Sequence, residues 1–348
     1  MNTKSAIVTG GLGFIGSHLV DLLIDHGFKV IVLDNASTGR ISNLQKHLNN
    51  SNLYIVNVDI TFERDIKKLE MDTRIDVPNV KYIFHLAGLA DIVPSIERPA
   101  DYHNANVNGT FNILSLAREW SNKYNQLEKF VYAASSSCYG LASDTSNTPT
   151  NENATIDPQY PYALSKNIGE QYVIHYGRIY KLPTISLRLF NVFGPRSRTT
   201  GTYGAVFGIF LKQKLEGKAY TIVGDGKQAR DFIFVSDVAN AFWSAANSNS
   251  NVCSQIFNVG SGNCYSINML ADLLGGERVY IPKRPGEPDK THADISKIKN
   301  IIGWQPQISF EEGVKRVLEN IDYWRDAPLW DTHSIAKATD SWFRYLQR

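Results

Sequence analysis

The first glycine-rich segment of the chain is Thr9-Gly10-Gly11-Leu12-Gly13-Phe14-Ile15-Gly16. It follows a short apolar run, Ala6-Ile7-Val8, and precedes an apolar periodicity that is typical of a helix. Gly10, Gly13 and Gly16 let the backbone turn tightly and approach a pyrophosphate, which the amides and dipole of a helix N-terminus attract. The pattern predicts a dinucleotide-binding strand–loop–helix unit, and a purely structural turn is the alternative.

An acidic residue follows at the distance that dinucleotide-binding folds use. Asp34 directly follows a second apolar run, 18 residues beyond Gly16. A carboxylate at this position accepts hydrogen bonds from both hydroxyls of an adenosine ribose and repels a 2′-phosphate. We therefore expect NAD, and not NADP, as the cofactor.

Apolar runs alternate with helical patterns through the first 190 residues. Several runs are apolar almost throughout, as in strands that are covered on both faces. The predicted strands are residues 5–8, 29–33, 53–58, 82–86, 129–133 and 184–189, and predicted helices include residues 15–26, 101–120 and 160–180. This alternation predicts an α/β fold of the Rossmann type with a doubly wound parallel sheet.

The pattern loosens after Arg188, where glycine, proline and aromatic residues become more frequent. We predict a dinucleotide-binding domain of residues 1–187, to which segments at about 232–262 return. Residues 222–237 and 255–259 are the candidates for return to the sheet. Residues 188–231 and 263–326 are predicted to form a smaller, interleaved C-terminal substrate-binding domain.

The tail, residues 327–348, repeats apolar side chains at three- and four-residue steps. These side chains are Ile335, Ala338, Trp342 and Leu346. Such spacing predicts an amphipathic helix with one apolar face. We expect this helix to dock on its own chain, and a contact with a second copy or another partner is the alternative.

Composition excludes several classes of function. The 348 residues are 43% hydrophobic and 20% charged, and a net charge of +2 without a basic stripe gives no electrostatic footprint for nucleic acid. No apolar run reaches the roughly 18–20 residues that cross a membrane, and a signal-peptide pattern is absent. Cys138, Cys253 and Cys264 have neither zinc-ligand spacing nor a disulfide pattern. We expect a cytoplasmic protein without a metal site.

Tyr162 and Lys166 are four residues apart within a predicted helix, so the phenol and the ammonium lie on one face. A tyrosine has a pKa of about 10, and a nearby cation favours its phenolate. Lowering that pKa to about 7 takes roughly 4 kcal/mol. The pair indicates a catalytic base with its activator, and an amphipathic helix with a lysine that reaches solvent is the alternative.

Together these motifs resemble the extended short-chain dehydrogenases/reductases, in particular the NAD-dependent nucleotide-sugar epimerases and dehydratases such as UDP-hexose 4-epimerases. The resemblance covers about residues 5 to 320. Its further anchors are Asp34-Asn35-Ala36-Ser37-Thr38-Gly39-Arg40, Val58-Asp59-Ile60, His85-Leu86-Ala87-Gly88, Asn106-Val107-Asn108-Gly109-Thr110, Ser135-Ser136-Ser137-Cys138-Tyr139-Gly140, Arg188-Leu189-Phe190-Asn191-Val192-Phe193-Gly194-Pro195, Gly224-Asp225-Gly226, Arg230-Asp231-Phe232 and Arg284-Pro285-Gly286-Glu287.

The resemblance implies which residues bind NAD. Asp59 and Ile60 would flank the adenine, and Lys166 would hydrogen-bond the nicotinamide ribose. The full set that it implies is Gly10, Gly13, Phe14, Ile15, Gly16, Asp34, Asn35, Ser37, Thr38, Gly39, Asp59, Ile60, Leu86, Ala87, Gly88, Asn106, Tyr162 and Lys166.

The resemblance also implies a catalytic set of Ser135, Tyr162 and Lys166, and a substrate-binding set. Guanidinium forks suit the diphosphate of a nucleotide sugar, although a surface salt bridge explains a single arginine equally well. An asparagine before Gly-Pro is also explained by a turn. Many relatives carry the shorter Asp where this chain has Glu287. The substrate-binding set is Ser136, Ser137, Asn191, Arg230, Arg284, Glu287 and Thr291.

The implied chemistry begins when Tyr162 takes the proton of the sugar 4-hydroxyl and the hydride of C4 passes to NAD. A 4-epimerase returns the hydride to the other face of the 4-keto sugar. A 4,6-dehydratase also eliminates water, with an acid–base pair that commonly follows the catalytic residue. Ser136 and Ser137 stand there instead, and neither is a useful acid or base at neutral pH. Cys138 is one residue beyond the two positions where the acid–base pair of a dehydratase is expected, and it is predicted to be a buried structural thiol.

We therefore predict a 4-epimerase. A 4,6-dehydratase of the UDP- or GDP-GlcNAc type and a non-catalytic dinucleotide sensor are the alternatives. Thr291 takes the place of a bulky tyrosine in glucose-restricted relatives, so we predict UDP-GlcNAc/UDP-GalNAc first and UDP-glucuronate second. The resemblance implies a homodimer through a four-helix bundle of predicted helices 101–120 and 160–180, and we expect neither nucleic acid nor membrane as a partner.

Overall fold

The structure, a computed structural model, describes residues 4–144, 149–197 and 205–346. The predicted domain and tail ranges also include residues 1–3, 145–148, 198–204 and 347–348, which lie outside the described residues. The strands are β1 (Ser5–Thr9), β2 (Lys29–Asp34), β3 (Leu53–Asn57), β4 (Val80–His85), β5 (Lys129–Ser135), β6 (Thr184–Leu189), β7 (Asn191–Phe193), β8 (Tyr220–Val223), β9 (Ala229–Arg230), β10 (Phe232–Phe234), β11 (Gln255–Val259), β12 (Tyr265–Ser266) and β13 (Arg278–Ile281).

Helices surround these strands, and shorter 3-10 turns connect several of them. The α-helices are α1 (Phe14–Asp25), α2 (Glu63–Lys67), α3 (Ile92–Glu97), α4 (Pro99–His103), α5 (Gly109–Tyr124), α6 (Pro161–Tyr180), α7 (Val206–Leu215), α8 (Val235–Ala246), α9 (Ile267–Leu274), α10 (Ser296–Ile302), α11 (Phe310–Glu319), α12 (Thr332–Ala338) and α13 (Asp340–Leu346).

Seven of the described strands form one parallel sheet in the order β11-β6-β5-β4-β1-β2-β3. The strand order reverses at β1, which lies between β2 and β4, and ligands of doubly wound sheets bind outside the carboxyl ends of the strands at such a point. The predicted α/β Rossmann-type sheet is confirmed.

Both faces of the sheet are covered by helices, which explains why its strands are apolar throughout. On one face Val8 packs in a core with Leu19 of α1 and Phe242 of α8. On the other face Ile7 packs in a core with Ile113 of α5 and further residues of α6. Neighbouring residues of one strand therefore serve opposite cores, as the two-residue period of a strand requires.

A second, smaller layer follows β6 and has its own aromatic core. Its strands pair two by two: β7 with β10, β8 with β13, and β9 with β12. Phe193, Phe207, Phe232 and Phe310 lie together in its core.

Of the two predicted return segments, residues 255–259 join the main sheet as β11. Residues 222–237 do not, because β10 pairs with β7 and the chain then continues into α8. The domain boundaries themselves stay a prediction.

The predicted helix 101–120 is longer and less regular than expected. It runs from Pro99 to Tyr124 as α4, a π-helical segment (Asn104–Asn108) and α5. Pro99 fits the first turn, where no amide is needed, and Asn125 ends the helix in a left-handed conformation with φ +48°. Single π-turns often occur at functional sites.

The tail forms two helices and not the single one that was predicted. The side chain of Asp331 accepts from the backbone N–H of Ser334 at 2.7 Å and so caps α12, which ends before Thr339. Ile335 is buried in the core of the smaller layer, so the tail docks on its own chain. None of the described helices is long and apolar enough to span a bilayer.

Candidate active site

A cavity of about 1080 Å³ lies where the loops after β1, β4 and β5 face the smaller layer. Sites for single drug-sized ligands measure roughly 300–1,000 Å³. The cavity is therefore large enough for a dinucleotide and a second ligand. Its position outside the carboxyl ends of the strands is the one that the strand order predicts.

Nearly all of the predicted site residues line this cavity, although they are spread over most of the chain. They are Gly10, Gly13, Phe14, Ile15, Gly16, Asp34, Asn35, Ser37, Thr38, Asp59, Ile60, Leu86, Ala87, Gly88, Ser135, Ser136, Ser137, Tyr162, Lys166, Asn191, Arg230, Arg284, Glu287 and Thr291. Gly39 and Asn106 do not line it.

The glycine loop has no room for side chains. Gly10 has φ +71°, and a Cβ there would lie 2.7 Å from the backbone nitrogen of Ala87. A Cβ on Gly16 would lie 2.1 Å from the carbonyl oxygen of Gly10. Gly13 precedes α1 without a side-chain cap, so no side chain covers the first amides of this helix. The loop can therefore hold an anion against the helix N-terminus.

Asp34 is held at the cavity by two backbone amides. Its Oδ2 accepts from the N–H of Leu12 at 3.0 Å, and its Oδ1 accepts from the N–H of Ala36 at 2.8 Å. Burial raises the pKa of Asp34, while these two hydrogen bonds act in the opposite direction. The loop thus fixes the carboxyl group that was predicted to bind a ribose.

A polar cluster lies beside Asp34 at the end of β3. The side-chain amide of Asn35 donates to Oδ2 of Asp59 at 3.1 Å. Oδ1 of Asp59 accepts from the backbone N–H of Thr61 at 2.9 Å and from its hydroxyl at 2.7 Å. Asp59 is therefore oriented before any ligand binds, next to the apolar side chain of Ile60.

Gly39 and Asn106 lie next to residues of the cavity wall without lining it, and their predicted contacts with a cofactor stay a prediction. A Cβ on Gly39 would lie 2.8 Å from the backbone of Leu12, so this glycine permits close packing of two loops. Asn106 is fully buried. Its Oδ1 accepts from the N–H of Leu89 at 2.8 Å, and its amide donates to the carbonyl oxygen of Leu89 at 3.0 Å and to the hydroxyl of Ser165 at 2.9 Å. These bonds of Asn106 therefore hold the loop after β4 in place.

Ser135, Tyr162 and Lys166 meet at one end of the cavity. Ser135 ends β5, and the other two residues lie in the first two turns of α6, which begins with Pro161. The Ser135 hydroxyl lies 2.8 Å from that of Ser137 and accepts from the Ser137 N–H at 3.2 Å. Burial raises the pKa of Tyr162, and the Ser135 side chain acts in the opposite direction. The serine hydroxyl is therefore close enough to Tyr162 to affect its proton.

Burial shifts the pKa values of the catalytic side chains more than the sequence indicated. It raises the pKa of Tyr162 against the effect of Ser135, and the charge of Asp91 acts in the same direction as burial. Burial also lowers the pKa of Lys166 to about 7, against the charge of Glu170. The expected lowering of the Tyr162 pKa by Lys166 is thus not the dominant effect within the chain, because both groups are buried.

A neutral histidine lies behind Lys166. The Lys166 ammonium is 4.3 Å from the ring centre of Tyr132, which stacks on His85 at 5.7 Å. The nitrogens of His85 lie 2.7 Å from the Thr9 hydroxyl and 2.9 Å from the Thr110 hydroxyl. Burial and the charge of Lys166 lower the pKa of His85 to about 3. The imidazole therefore stays neutral.

A buried ion pair anchors α6 one turn beyond Lys166. Glu170 and Arg188 form a bond of 2.6 Å with both side chains less than 5% exposed. Arg188 also donates to the hydroxyl of Tyr139 at 2.8 Å. Breaking such a pair leaves an uncompensated charge, so it ties the helix that carries Tyr162 to the neighbouring strand β6. The sequence placed Arg188 in a motif but did not indicate Glu170.

Two arginines share one carboxylate on the opposite side of the cavity. Arg230 lies 3.2 Å from Glu287, and Arg284 lies 3.9 Å from it. The three side chains also border an adjoining pocket of about 350 Å³. Two guanidinium groups against one carboxylate leave a positive charge, which suits a phosphate ligand.

Thr291 and Asn191 line the same cavity and contact each other. The Thr291 hydroxyl donates to Oδ1 of Asn191 at 3.0 Å and accepts from the N–H of Asp231 at 3.2 Å. The small Thr291 side chain is thus fixed at the cavity wall.

Burial raises the pKa of Cys138 to about 12, which agrees with its predicted role as a structural thiol.

The sequence missed one carboxylate and several aromatic walls of the cavity. Asp91, which raises the pKa of Tyr162, lines it after β4. Tyr160, Trp330 and Trp342 line it as well. Only Trp342 had a signal in the sequence, because it belongs to the apolar face predicted for the tail.

Comparison with known proteins agrees with this geometry. The family model described as GDP-mannose 4,6-dehydratase matches residues 7–317. A putative UDP-glucose 4-epimerase of Methanocaldococcus jannaschii is 37% identical over 90% of this chain and 96% of its own length.

Two solved structures have the same fold. A UDP-N-acetylglucosamine 4-epimerase from Methanobrevibacter ruminantium, in complex with UDP-N-acetylmuramic acid, has a TM-score of 0.78 and 34% identity and covers 92% of this chain and 100% of its own. A UDP-glucuronic acid 4-epimerase from Bacillus cereus, in complex with UDP-glucuronic acid and NAD, has a TM-score of 0.80 and 28% identity and covers 91% and 99%. The prediction of an NAD-dependent nucleotide-sugar enzyme agrees with these relatives, and the chain belongs to the GDP-mannose 4,6-dehydratase family of extended short-chain dehydrogenases/reductases.

Proposed function

We propose that this protein is an NAD-dependent UDP-sugar 4-epimerase. The observation that carries the proposal is the placement of Ser135, Tyr162 and Lys166 in one cavity, between the glycine loop with Asp34 and the arginine pair Arg230 and Arg284. A ligand with a diphosphate near the arginines would extend its sugar toward Tyr162. The related 4-epimerases support the same assignment.

The side chains at the catalytic end have separate tasks. Tyr162 as phenolate accepts the proton of the sugar 4-hydroxyl, and Ser135 orients that hydroxyl by a hydrogen bond. When bound, NAD supplies the acceptor for the C4 hydride and a positive charge that favours the phenolate. Lys166 would hold the nicotinamide ribose and would add its own charge in the protonated state. Tyr162 later returns its proton to the oxygen of the 4-keto sugar.

Epimerisation requires only that the keto sugar turns and receives the hydride on its other face. The cavity supports this outcome because Ser136 and Ser137, which follow Ser135, offer no acid–base pair for elimination.

A 4,6-dehydratase is the second candidate. Asp91 favours it, since its carboxylate lines the cavity close enough to Tyr162 to raise the pKa of the phenol.

The sugar is proposed to be an N-acetylhexosamine, with UDP-GlcNAc/UDP-GalNAc before UDP-glucuronate. Thr291 supports this choice because its small side chain, fixed against Asn191, leaves space beside the sugar. A related epimerase acts on each class of substrate: UDP-N-acetylglucosamine in one and UDP-glucuronic acid in the other.

We also propose a homodimer through α5 and α6. These helices expose aromatic side chains, with Phe111 43% and Tyr172 38% accessible. The two rings are 5.7 Å apart and form one patch. Burying such a patch against its copy stabilises the pair by removing apolar area from water.

The proposed reaction is tested by incubating the NAD-loaded protein with UDP-GlcNAc, UDP-GalNAc, UDP-glucuronate and UDP-glucose. Proton NMR would report inversion at C4, and mass spectrometry would report any loss of water. We expect inversion of the N-acetylhexosamine pair without a change of mass. Turnover of UDP-glucose alone would refute the proposed sugar, and loss of one water would establish the dehydratase.

A further inference from the structure

The C-terminal tail reaches from α3, which follows β4, to the arginine side of the cavity. Ser341, in α13, donates a hydrogen bond to Glu97 of α3 at 3.2 Å. The indole N–H of Trp342 donates to the carbonyl oxygen of Pro285 at 2.7 Å. The side chain of Leu346 packs 3.8 Å from where a Cβ of Gly286 would lie. The tail therefore links both halves of the cavity.

Trp342 forms part of the cavity wall between the phosphate side and the catalytic side. It is 3% exposed, and the guanidinium of Arg284 lies 5.4 Å from its ring centre. On its other side the ring of Tyr160 lies 6.3 Å away, and Tyr160 stacks parallel to Tyr162 at 6.4 Å. An aromatic face near a guanidinium attracts it and restricts its conformations.

The beginning of the tail reinforces this wall. Ala327, Pro328 and Trp330 line the cavity together with Trp342. The carbonyl oxygen of Trp330 accepts from the side-chain amide of Gln213 in α7 at 2.7 Å. The family match ends at residue 317, so these contacts come from a segment outside the matched part of the chain.

We propose that the tail completes the substrate site, with Trp342 as a positioning residue that holds Arg284 for the diphosphate. The indole fixes the turn at Pro285 through its N–H and fixes the Arg284 side chain through its ring. This inference rests on the proposed function for the identity of the ligand, a nucleoside diphosphate sugar. It adds that affinity for the diphosphate depends on a residue at the far end of the chain.

The test measures binding, so that it does not depend on turnover. UDP and GDP are titrated into the NAD-loaded protein by calorimetry, and the tighter ligand is then compared among variants. For Trp342→Ala we expect the Kd to rise about tenfold, which is the scale of one lost cation–π contact and one hydrogen bond. In turnover, KM for the nucleotide sugar should rise by a similar factor while kcat changes less.

Two further variants separate positioning from general damage. In an Arg284→Ala background, Trp342→Ala should add little, because the residue through which it acts is gone. Trp342→Phe keeps a ring but not the N–H and should fall between wild type and Trp342→Ala. Tyr345→Ala is the matched control, since Tyr345 lies on the same helix and is 63% exposed. Its Kd and NAD affinity should equal those of wild type.

Two results would overturn the inference. One is an unchanged diphosphate affinity in Trp342→Ala, and the other is an equal loss in the presence and absence of Arg284. A wild-type protein that binds neither UDP nor GDP would also overturn it. Diphosphate binding without any epimerised product would instead count against the proposed function alone.

Discussion

Lys166 is a buried cation whose pKa of about 7 is set by burial. Because the usual value is near 10.4, the unfolded chain holds one more proton than the folded protein between about pH 7 and pH 10.4. Stability from this group therefore rises with pH across that window, and the cost of the buried charge is fully present below it.

Replacing Lys166 by Met should remove that cost. We expect Lys166→Met to be inactive, yet more stable than wild type at pH 7, with a difference that shrinks as the pH approaches 10.4. Urea unfolding at several pH values measures it. Lys299→Met, at an exposed site on α10, should leave the pH slope unchanged. A variant that is less stable than wild type at neutral pH would contradict this account of the burial.

Tyr162 is the proposed base, and its hydroxyl is the atom that matters. Tyr162→Phe should lower turnover by about 10²–10⁴, the usual contribution of general acid–base catalysis, while NAD and UDP still bind. Tyr180→Phe, at a 45% exposed site on the same helix, is the control and should keep full activity. Full activity of Tyr162→Phe, followed by NMR, would exclude this residue as the base.

At the scale of elements, α5 and α6 carry both the site and the proposed dimer contact. Phe111→Asp places a charge in the exposed aromatic patch with Tyr172, so it should convert the dimer to a monomer. Light scattering after size exclusion measures the mass. Tyr280→Asp, at a 55% exposed site on β13, should remain dimeric. A wild-type monomer, or a dimeric Phe111→Asp, would contradict the proposed interface.

The strands of the seven-stranded sheet were predicted within one or two residues because their apolar runs are bounded by polar or glycine residues, whereas the short strands of the smaller layer were not predicted. The π-helical segment at Asn104–Asn108 was not predicted, since its extra residue is stabilised by tertiary bonds of Asn106 to Leu89 and Ser165. The break at Thr339 was missed for another reason. The apolar spacing continues through it, so periodicity alone cannot show that the helix stops.

At the scale of the whole molecule, the site is assembled from segments that lie far apart in the sequence. Nearly all of the site residues that ordered motifs predicted line the cavity, because glycine loops and charged side chains carry their chemistry in their residue types. Motifs name positions but not the packing around them, so the burial of Asn106 against Leu89 and Ser165 was not predicted. The packing of α13 and α3 brings Trp342 and Asp91 to the cavity wall, and no local sequence pattern predicts that packing.

In the proposed reaction the C4 hydride leaves the sugar and returns to its opposite face within one cavity. The direct measurement uses UDP-GlcNAc and UDP-glucuronate that carry deuterium at C4, followed by NMR and mass spectrometry of the products. We expect a C4 epimer of unchanged mass with deuterium retained at C4. Loss of one water, or exchange of the C4 deuterium for solvent hydrogen, would contradict it.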